Sequence, residues 1–407
     1  MVSYFFGYYD KSPLNKSNTK LLAHRVSFDG RDVSDGDLAE VGYFDLSTKI
    51  FHKIDETLAW NWQQGSHLQW MPPVFEDEII YNSIHDGHFV SVRYNTLTNK
   101  KRVIPFPIYV IHPNGKEALS VKYERHYWCR PGYNYQNIKD TKWNIPIHSE
   151  DGIFKVNLET GDTQLIIRTQ DIVYLNPTDE ISNSCNWLEH MMYSPDGERF
   201  LFFHRWRNNG ADKSRFYTSS NSGSNLVFYP DTGFYSHCDW QDKEHLIVWT
   251  VEPIVIKNNY KNYIVKIKNS PLKRILSYFY QLIKPVIPIG IKRRISFESK
   301  LILFKDISLE YEVLGGNDLS GNGHTTVSEK DKLLLNDTYQ DSENHRDLYF
   351  YDIEKKEKYN IGRFYSTYNS CGYRCDLHPR LARDKKHIVI DSAHCNKRKI
   401  MIIKKKS

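Results

Sequence analysis

The chain has 407 residues, of which 40% are hydrophobic and 26% are charged, and its net charge is +6. This composition is typical of a folded globular protein and excludes a disordered chain. The positive charge is mild and forms no dense basic stripe, so we predict no nucleic-acid partner, although an anionic ligand remains compatible with it. Aromatic residues make up 14% of the chain, which favours strands and suits surfaces that stack on sugar rings.

The N-terminal segment "MVSYFFGYYDKSP" has no charged stretch followed by an apolar core. We therefore predict no signal peptide and a cytoplasmic location. The six cysteines form no CxxC pair, and reduced thiols are the expectation for such a protein.

One layout recurs along the chain: a histidine or bulky residue, a short spacer, a turn rich in Ser, Pro, Asp or Gly, and an apolar strand. The seven copies begin at Tyr8, His67, Ile108, His190, His237, His324 and His378. Each copy continues into a hairpin of alternating apolar residues, as in "VGYFDLSTKIFHKI" and "LYFYDIEKKEKYNIG". Short strands that recur at a period of roughly 40–50 residues are typical of β-propellers. We predict an all-β fold, a seven-bladed β-propeller spanning 1–407 as one domain, with six or eight blades as the alternatives.

The two ends of the chain suggest how the ring closes. The last repeat ends at "KIMIIKKKS" and is one strand short, while "VSYFF" stands near the N-terminus. We expect the N-terminal segment to supply the outer strand of the last blade.

Three insertions interrupt the repeats. The first, 124–150, is a loop rich in Tyr, Trp and Arg. The second is the polar Gly/Ser/Asn loop "RWRNNGADKSRFYTSSNSGS" after His204. The third, 269–300, is a basic amphipathic insertion whose apolar run is broken by Lys284, Pro285 and Pro288, so it is too interrupted to span a bilayer. Its flanking cations suit peripheral contact with the inner face of an anionic membrane, and a helical excursion packed on the side of the propeller is the alternative.

Five repeats place a histidine at the same position: His67, His190, His237, His324 and His378. The innermost strands of a propeller line a central channel, so residues at one repeat position form a ring at one depth. Any one of them alone would be interpreted as a packed histidine. Five imidazoles fill an apolar core poorly and repel each other when protonated, so we predict a site for a metal, an anion or a catalytic base.

Asp376 adds a carboxylate to this ring. It precedes His378 by two residues, a spacing that puts both side chains on one face of a strand. Two histidines and a carboxylate suit Mn²⁺, Fe²⁺ or Zn²⁺. A carboxylate that caps a turn is the alternative for Asp376.

A further set of polar residues is predicted to bind substrate beside the ring. Several arginines close together would form an anion site with geometry matched to a carboxylate, although a single arginine is commonly just solvated. The predicted substrate-binding set is Gln64, His67, His190, His204, Arg205, Arg207 and Arg380.

Several segments share a further likeness: "WNWQQGSHLQW", "FFHRWRNNGADKSR", "SHCDW", "GHTTVS" and "DLHPR". With the repeats, they resemble the oligogalacturonate lyases (polysaccharide lyase family 22), which are seven-bladed propellers with Mn²⁺ in a central funnel. The resemblance implies His237 as general base, Arg215 as the catalytic arginine, and His324 and His378 as metal ligands. The chain departs from the family at "YRCDLHP", where Tyr373 and Asp376 replace a Gln and a His.

The resemblance implies a metal-dependent lyase that cleaves uronic-acid-containing glycans by β-elimination. We expect such an activity to serve bacterial surface-polysaccharide metabolism. Its cofactor would be Mn²⁺ or another divalent transition metal, and its partner an acidic oligo- or polysaccharide. In that scheme Asp376 joins His324 and His378 around the metal. Two alternatives stay open, a non-catalytic TolB-like propeller that binds a glycan or protein, and a glycan hydrolase or epimerase on the same scaffold.

Overall fold

The computed structural model describes residues 2–208, 210–253, 299–316, 318–319, 321–328, 332–368 and 372–404. The predicted membrane-contacting insertion, 269–300, lies outside the described residues except for its last two positions. Among the helices that the structure describes, none is both long enough and apolar enough to cross a bilayer.

The described strands form seven antiparallel sheets that follow one another along the chain. The first sheet contains β1 (Ser3–Phe5), β2 (Lys20–Val26), β3 (Ala39–Asp45) and β4 (Phe51–Thr57). The second contains β5 (Gln69–Trp70), β6 (Glu78–His85), β7 (His88–Asn95) and β8 (Lys101–Ile104). The third contains β9 (Val110–Ile111), β10 (Glu117–Ser120), β11 (Gly152–Asn157) and β12 (Thr163–Arg168). The fourth contains β13 (Asn186–Tyr193), β14 (Arg199–Asn208), β15 (Ala211–Ser220) and β16 (Val227–Phe228). The fifth contains β17 (Tyr235–Trp240), β18 (His245–Thr250), β19 (Lys300–Lys305) and β20 (Tyr311–Leu314). The sixth contains β21 (Thr325–Ser328), β22 (Leu333–Asp337), β23 (His345–Asp352) and β24 (Glu357–Tyr365). The seventh contains β25 (Arg380–Leu381), β26 (His387–Ser392) and β27 (Lys399–Lys404). The predicted seven-bladed β-propeller is confirmed.

Short helices lie in the third blade and in its connection to the fourth: α1 (Tyr123–Cys129) follows β10, and α2 (Thr169–Leu175) and α3 (Asp179–Ser182) follow β12. The first of these opens the predicted 124–150 insertion. Cys129, its last residue, pairs with Cys185 as a disulfide, so the expectation of reduced thiols is wrong for these two residues.

The hydrophobic core lies between the blades, and strand β18 shows why. Leu246 and Val248 point to one side, into a buried cluster shared with the fourth blade, whereas Ile247 and Trp249 point to the other, into a cluster shared with the sixth. Successive side chains of a strand face opposite sides of the sheet, so an apolar run is buried on both faces. Each blade is thereby packed against both of its neighbours.

The N-terminal strand does not close the ring as predicted. Strand β1 pairs with β2, with Tyr4 opposite Arg25, and therefore belongs to the first blade; the last blade has three strands in the described part of the chain. Phe5 packs on His24 and Trp60, which explains the preference of β1 for the first blade. The first and last blades are still joined, because the Tyr4 amide donates to the Arg398 carbonyl at 3.2 Å.

Candidate functional site

Four of the predicted histidines meet around one tyrosine. The ring centroid of Tyr8 lies 5.2 Å from that of His190, 6.4 Å from His237, 6.1 Å from His324 and 5.1 Å from His378. These histidines come from four different blades, so the first strand of each sheet faces the propeller axis. Tyr8 and the four histidines are called the central cluster below.

The local backbone helps to turn these side chains inward. His190 and His378 have positive φ angles of 58° and 44°, a left-handed conformation that is uncommon for residues other than glycine. At His190 the pairing of β13 with β14 shifts between Glu189 and Met192, which marks a bulge. Bulges re-aim a side chain, and they are frequent next to active sites.

Three residues of the site are placed to hold one cation. His324, Asp376 and His378 each offer a ligand atom, these atoms lie within 4.8 Å of one another, and all three residues are buried. The ring centroids of His324 and His378 are 4.3 Å apart. The set of metal ligands predicted from the sequence is therefore brought together by the fold.

Hydrogen bonds at the Nδ1 atoms of His324 and His378 leave their Nε2 atoms available to a metal. His324 Nδ1 lies 3.0 Å from Asp337 Oδ1, and His378 Nδ1 lies 2.7 Å from the Gly7 carbonyl oxygen. Both Nε2 atoms are buried and have no hydrogen-bond partner in the described part of the chain. Metal-binding histidines typically donate the other ring N–H to a carboxylate or carbonyl, so this arrangement fits a metal ligand pair.

Asp376 has an additional feature that the sequence did not reveal. Its Oδ2 pairs with Arg374 Nε, and its Oδ1 lies 3.3 Å from Arg346 Nη2. Burial alone would raise the pKa of Asp376, but the charges of Arg374 and Arg346 hold this pKa well below its ordinary value. The carboxylate is therefore ionised and able to bind a cation, which would share it with two guanidinium groups.

His237 lies next to the candidate ligands, with its ring centroid 4.1 Å from that of His324. Its Nδ1 lies 3.1 Å from Asn322 Oδ1 and 3.2 Å from Ser236 Oγ, so this nitrogen already has polar partners. Burial, with the nearby His324, lowers the pKa of His237 well below its ordinary value. The imidazole is therefore neutral, and Nε2 is its basic atom in the tautomer that donates from Nδ1 to Asn322.

His190 is held from both sides. Its Nε2 lies 2.8 Å from the Tyr8 hydroxyl, and its Nδ1 lies 3.2 Å from Glu189 Oε1. Glu189 also pairs with Arg130 and Arg205. Two guanidinium groups around one carboxylate leave a net positive charge on this side of the central cluster.

Arg380 is a positioning residue. Its Nε donates to the Tyr8 carbonyl at 2.8 Å, and its Nη2 donates to the Gly7 carbonyl and to Asp391 at 2.9 Å. Arg380 is 1% exposed and holds the backbone that carries Tyr8, while its Nη1 atom has no hydrogen-bond partner among the described residues, so its substrate-binding role stays a prediction.

Other residues predicted for the site lie apart from the central cluster. His67 packs on Tyr109, with ring centroids 4.3 Å apart, and Gln64 donates to the Tyr109 hydroxyl at 2.9 Å. In the part of the chain that the structure describes, neither residue makes a ring contact or hydrogen bond with the four clustered histidines. His67 and Gln64 therefore lie against Tyr109, to one side of Tyr8.

The strand pair β14–β15 carries three more predicted residues in other surroundings. His204 Nε2 donates a hydrogen bond to Asn186 Oδ1 at 2.9 Å, and burial lowers the pKa of His204 to about 3. Arg215 Nη2 lies 2.7 Å from Asp231, and its Nη1 donates to the Asn176 carbonyl at 2.6 Å. Arg207 pairs with Asp212 at 2.7 Å. The fold does not bring Arg215 into contact with the central cluster, so its catalytic role stays a prediction.

Several residues of the site were missed in the sequence. Tyr8 was recognised as occupying the histidine position of the first repeat, but no role followed from that position. Asp337 ends the strand that pairs with the one after His324, and this pairing was the available signal. Glu189 directly precedes His190 on β13, and this adjacency was the available signal for it. Arg130 and Arg346 reach the site through contacts between blades, for which the repeats gave no signal.

Comparison with known proteins agrees with this picture at the level of the fold. No family model and no curated protein matches the sequence. An oligogalacturonate lyase solved in complex with manganese superposes with a TM-score of 0.65 at 17% identity, covering 100% of this chain and 91% of that one. By fold, the chain is similar to oligogalacturonate lyases. A second such lyase, from Vibrio parahaemolyticus, gives a TM-score of 0.63 at 13% identity over 99% of this chain and 91% of that chain.

A TolB from Acinetobacter baumannii also matches, with a TM-score of 0.42 at 11% identity over 95% of this chain and 77% of that chain. The predicted resemblance to oligogalacturonate lyases is confirmed for the propeller fold by the two lyase structures.

Proposed function

We propose that the protein is a metal-dependent lyase that cleaves uronic-acid-containing glycans by β-elimination. The observation that carries the proposal is the convergence of His324, His378 and Asp376, with two unpartnered Nε2 atoms, at the axis of the propeller. The fold similarity to oligogalacturonate lyases, one of them in complex with manganese, supports the same activity.

The candidate ligands fit a divalent transition metal. Two neutral imidazole nitrogens and one carboxylate are a donor set that Mn²⁺, Fe²⁺ and Zn²⁺ accept, and they leave positions open for substrate. We propose Mn²⁺, or another divalent transition metal, as the cofactor. When bound, it would supply positive charge that stabilises negative charge developing on a substrate carboxylate.

The reaction removes the proton at C5 of a uronic acid and expels the sugar linked at O4, leaving a C4–C5 double bond. His237 is proposed to accept the proton at Nε2, since its Nδ1 is occupied by Asn322 and its imidazole is neutral. The departing O4 also needs a proton, and the Tyr8 hydroxyl is the donor nearest to the centre of the cluster.

Positive charge around the cluster suits an acidic oligo- or polysaccharide as the partner. Arg130 and Arg205 flank Glu189, and Arg374 lies beside Asp376. The substrate-binding role predicted for Arg205 and His190 is supported by this position, and Arg130 and Arg374 join them in the proposal. A cytoplasmic location, a role in bacterial surface-polysaccharide metabolism and a membrane contact through 269–300 stay parts of the proposal.

The decisive experiment combines an activity and a metal measurement. The protein, purified without a histidine tag, is incubated with uronate-containing oligosaccharides and Mn²⁺, and the unsaturated product is followed by ultraviolet absorbance. His237→Ala is expected to abolish product formation while retaining the bound metal. Product release without unsaturation would identify a hydrolase, and unchanged turnover in His237→Ala would end the assignment of the base.

A further inference from the structure

A cavity of about 370 Å³ lies between the loops that carry Asn61, Gly132 and Gly372. Its volume is within the range of about 300–1,000 Å³ that is usual for small-molecule sites. The walls combine flat aromatic rings with side-chain amides, which are contributed by Trp60, Asn61, Trp62, Tyr127, Asn134 and Gln136.

One buried amide in this cavity has an unused donor. Asn61 is 3% exposed, and its Oδ1 accepts the backbone N–H groups of Gln63 at 3.0 Å and Gln64 at 2.9 Å. These two bonds fix which end of the amide is the oxygen. The Asn61 Nδ2 group has no hydrogen-bond partner among the described residues. Buried donors are nearly always satisfied, so an unpartnered one in a cavity wall indicates a ligand acceptor.

The aromatic walls are held in place without a ligand. Trp60 Nε1 donates to the Asp37 carbonyl at 2.7 Å, and Trp62 Nε1 donates to the Arg31 carbonyl at 2.8 Å. The Tyr127 hydroxyl donates to Gln136 Oε1 at 2.8 Å. Trp60 and Trp62 are 2% and 3% exposed, so a ligand would mainly meet the half-buried ring of Tyr127, which is already ordered and lowers the entropy cost of binding.

The charge of the cavity differs from that of the central cluster. The charged side chains in its lining are Asp32 and Arg207, one of each sign. The lining is thus close to neutral, whereas arginines surround the central cluster. Amides that donate and accept, beside flat apolar rings, match the hydroxyl groups and the C–H face of an uncharged sugar.

The two sites share the same loops. Gln63, two residues after Asn61, donates to the Arg374 carbonyl at 3.0 Å, and Arg374 donates to the Tyr133 hydroxyl. Gly132 and Gly372, which line the cavity, are close neighbours in sequence of Tyr133 and Arg374. An oligosaccharide that passes over the Tyr133–Arg374 pair would contact both sites.

We propose that this cavity binds an uncharged sugar unit of the same glycan whose uronic acid occupies the central cluster. This inference rests on the proposed function and narrows it: the substrate class is a heteropolymer that contains both acidic and uncharged sugars, and not a chain of uronic acids alone.

The test compares two hexasaccharides, a hyaluronan fragment that alternates glucuronate with N-acetylglucosamine and an all-acidic hexagalacturonate. Binding is measured by calorimetry with Mn²⁺ in the full-length His237→Ala chain, to prevent cleavage. We expect the alternating hexasaccharide to bind at least tenfold more tightly. Asn61→Asp keeps both accepted backbone bonds and removes the free donor, so it should weaken that binding at least tenfold and leave hexagalacturonate binding within about twofold.

Asn95→Asp is the matched control, because Asn95 Oδ1 accepts the backbone N–H groups of Leu97 and Thr98, both at 3.0 Å, in an exposed turn away from the cavity. It should change neither affinity. Tyr127→Ala, which removes one aromatic wall, should reproduce the effect of Asn61→Asp and provides the test if that variant does not fold.

Equal affinity for the two hexasaccharides, or unchanged binding in both cavity variants, overturns the inference. Because binding is measured without turnover, this result is distinct from a failure of the proposed function, which would show as a lack of unsaturated product from either glycan in the unmodified protein.

Discussion

The Tyr8 hydroxyl lies 2.8 Å from Nε2 of His190, at the point where histidines from four blades surround one phenol ring. Tyr8 is 7% exposed, and Arg380 holds its backbone from below. The residue therefore joins the positively charged side of the central cluster to the side that carries the candidate metal ligands.

Removing this hydroxyl should affect both stability and activity. Tyr8→Phe leaves the buried His190 Nε2 without a partner, so we expect the free energy of unfolding to fall by about 1–2 kcal/mol. If Tyr8 assists the departing sugar, kcat should also fall, by roughly 10²-fold or more. Denaturant unfolding and the ultraviolet assay measure the two effects.

Tyr193→Phe is the control for Tyr8→Phe, because the Tyr193 hydroxyl donates to Asn221 at 3.2 Å in a position remote from the cluster. A similar or smaller loss of stability with unchanged kcat is expected there. If Tyr8→Phe also keeps its full kcat, Tyr8 has a structural role alone.

Metal affinity should depend on a residue that does not touch the metal. Asp337 receives the Nδ1–H of His324 and so orients its free Nε2. Asp337→Asn should lower the affinity for Mn²⁺ about 10–100-fold, as is usual when the carboxylate behind a metal-binding histidine is lost. Titration with Mn²⁺ of protein stripped by a chelator gives the affinity directly.

Asp352→Asn, in a turn of the same blade, carries the same change of charge and should leave Mn²⁺ affinity unaltered. Equal affinities in the two variants would show that His324 is not a ligand.

The stability of the fold should decrease with rising pH because of one half-buried acid. Burial raises the pKa of Asp239 from 3.8 to about 7. Between these values the folded chain holds a proton that the unfolded chain has lost, so the free energy of unfolding falls by up to about 1.4 kcal/mol for each pH unit from about pH 4 to 7. Above pH 7 this contribution is constant.

Asp239→Asn cannot ionise, so it should lack this share of the pH dependence. Urea unfolding at pH 5 and at pH 7 compares the two chains, and the difference between their slopes isolates Asp239 from the other titrating groups. Identical slopes would mean that Asp239 is already ionised at pH 5.

The junction between the first and last blades should depend on a buried ion pair. Arg398 is 2% exposed, its Nε lies 3.2 Å from Asp29 Oδ1, and its amide donates to Asp29 Oδ2 at 2.8 Å. Asp29→Ala leaves this guanidinium buried without its carboxylate, and we expect a loss of about 3–5 kcal/mol in unfolding free energy.

Glu343→Ala removes one carboxylate from the exposed Arg363 and serves as the control, with an expected loss of at most about 1 kcal/mol. Similar losses in the two variants would show that Arg398 does not tie the blades together.

The difference between prediction and structure is clearest at the histidines. All five were placed at one repeat position, yet four surround Tyr8 and His67 packs on Tyr109 instead. The repeat fixes the depth of a side chain along the axis, but its neighbours depend on the rotamer and on what the next blade presents. The arginines show the same limit, since Arg205 contacts Glu189 beside the cluster while Arg215, which lies opposite His204 across the hairpin, pairs with Asp231.

The sequence by itself determined the seven repeats and the positions at which histidines face the axis. Both follow from local chemistry, namely the alternation of apolar residues along a strand and the turn residues between strands. Only the tertiary structure decided which imidazoles meet and which nitrogen of each is free. Those outcomes depend on contacts such as His378 with the Gly7 carbonyl, 371 positions away, and no local pattern encodes a partner at that separation.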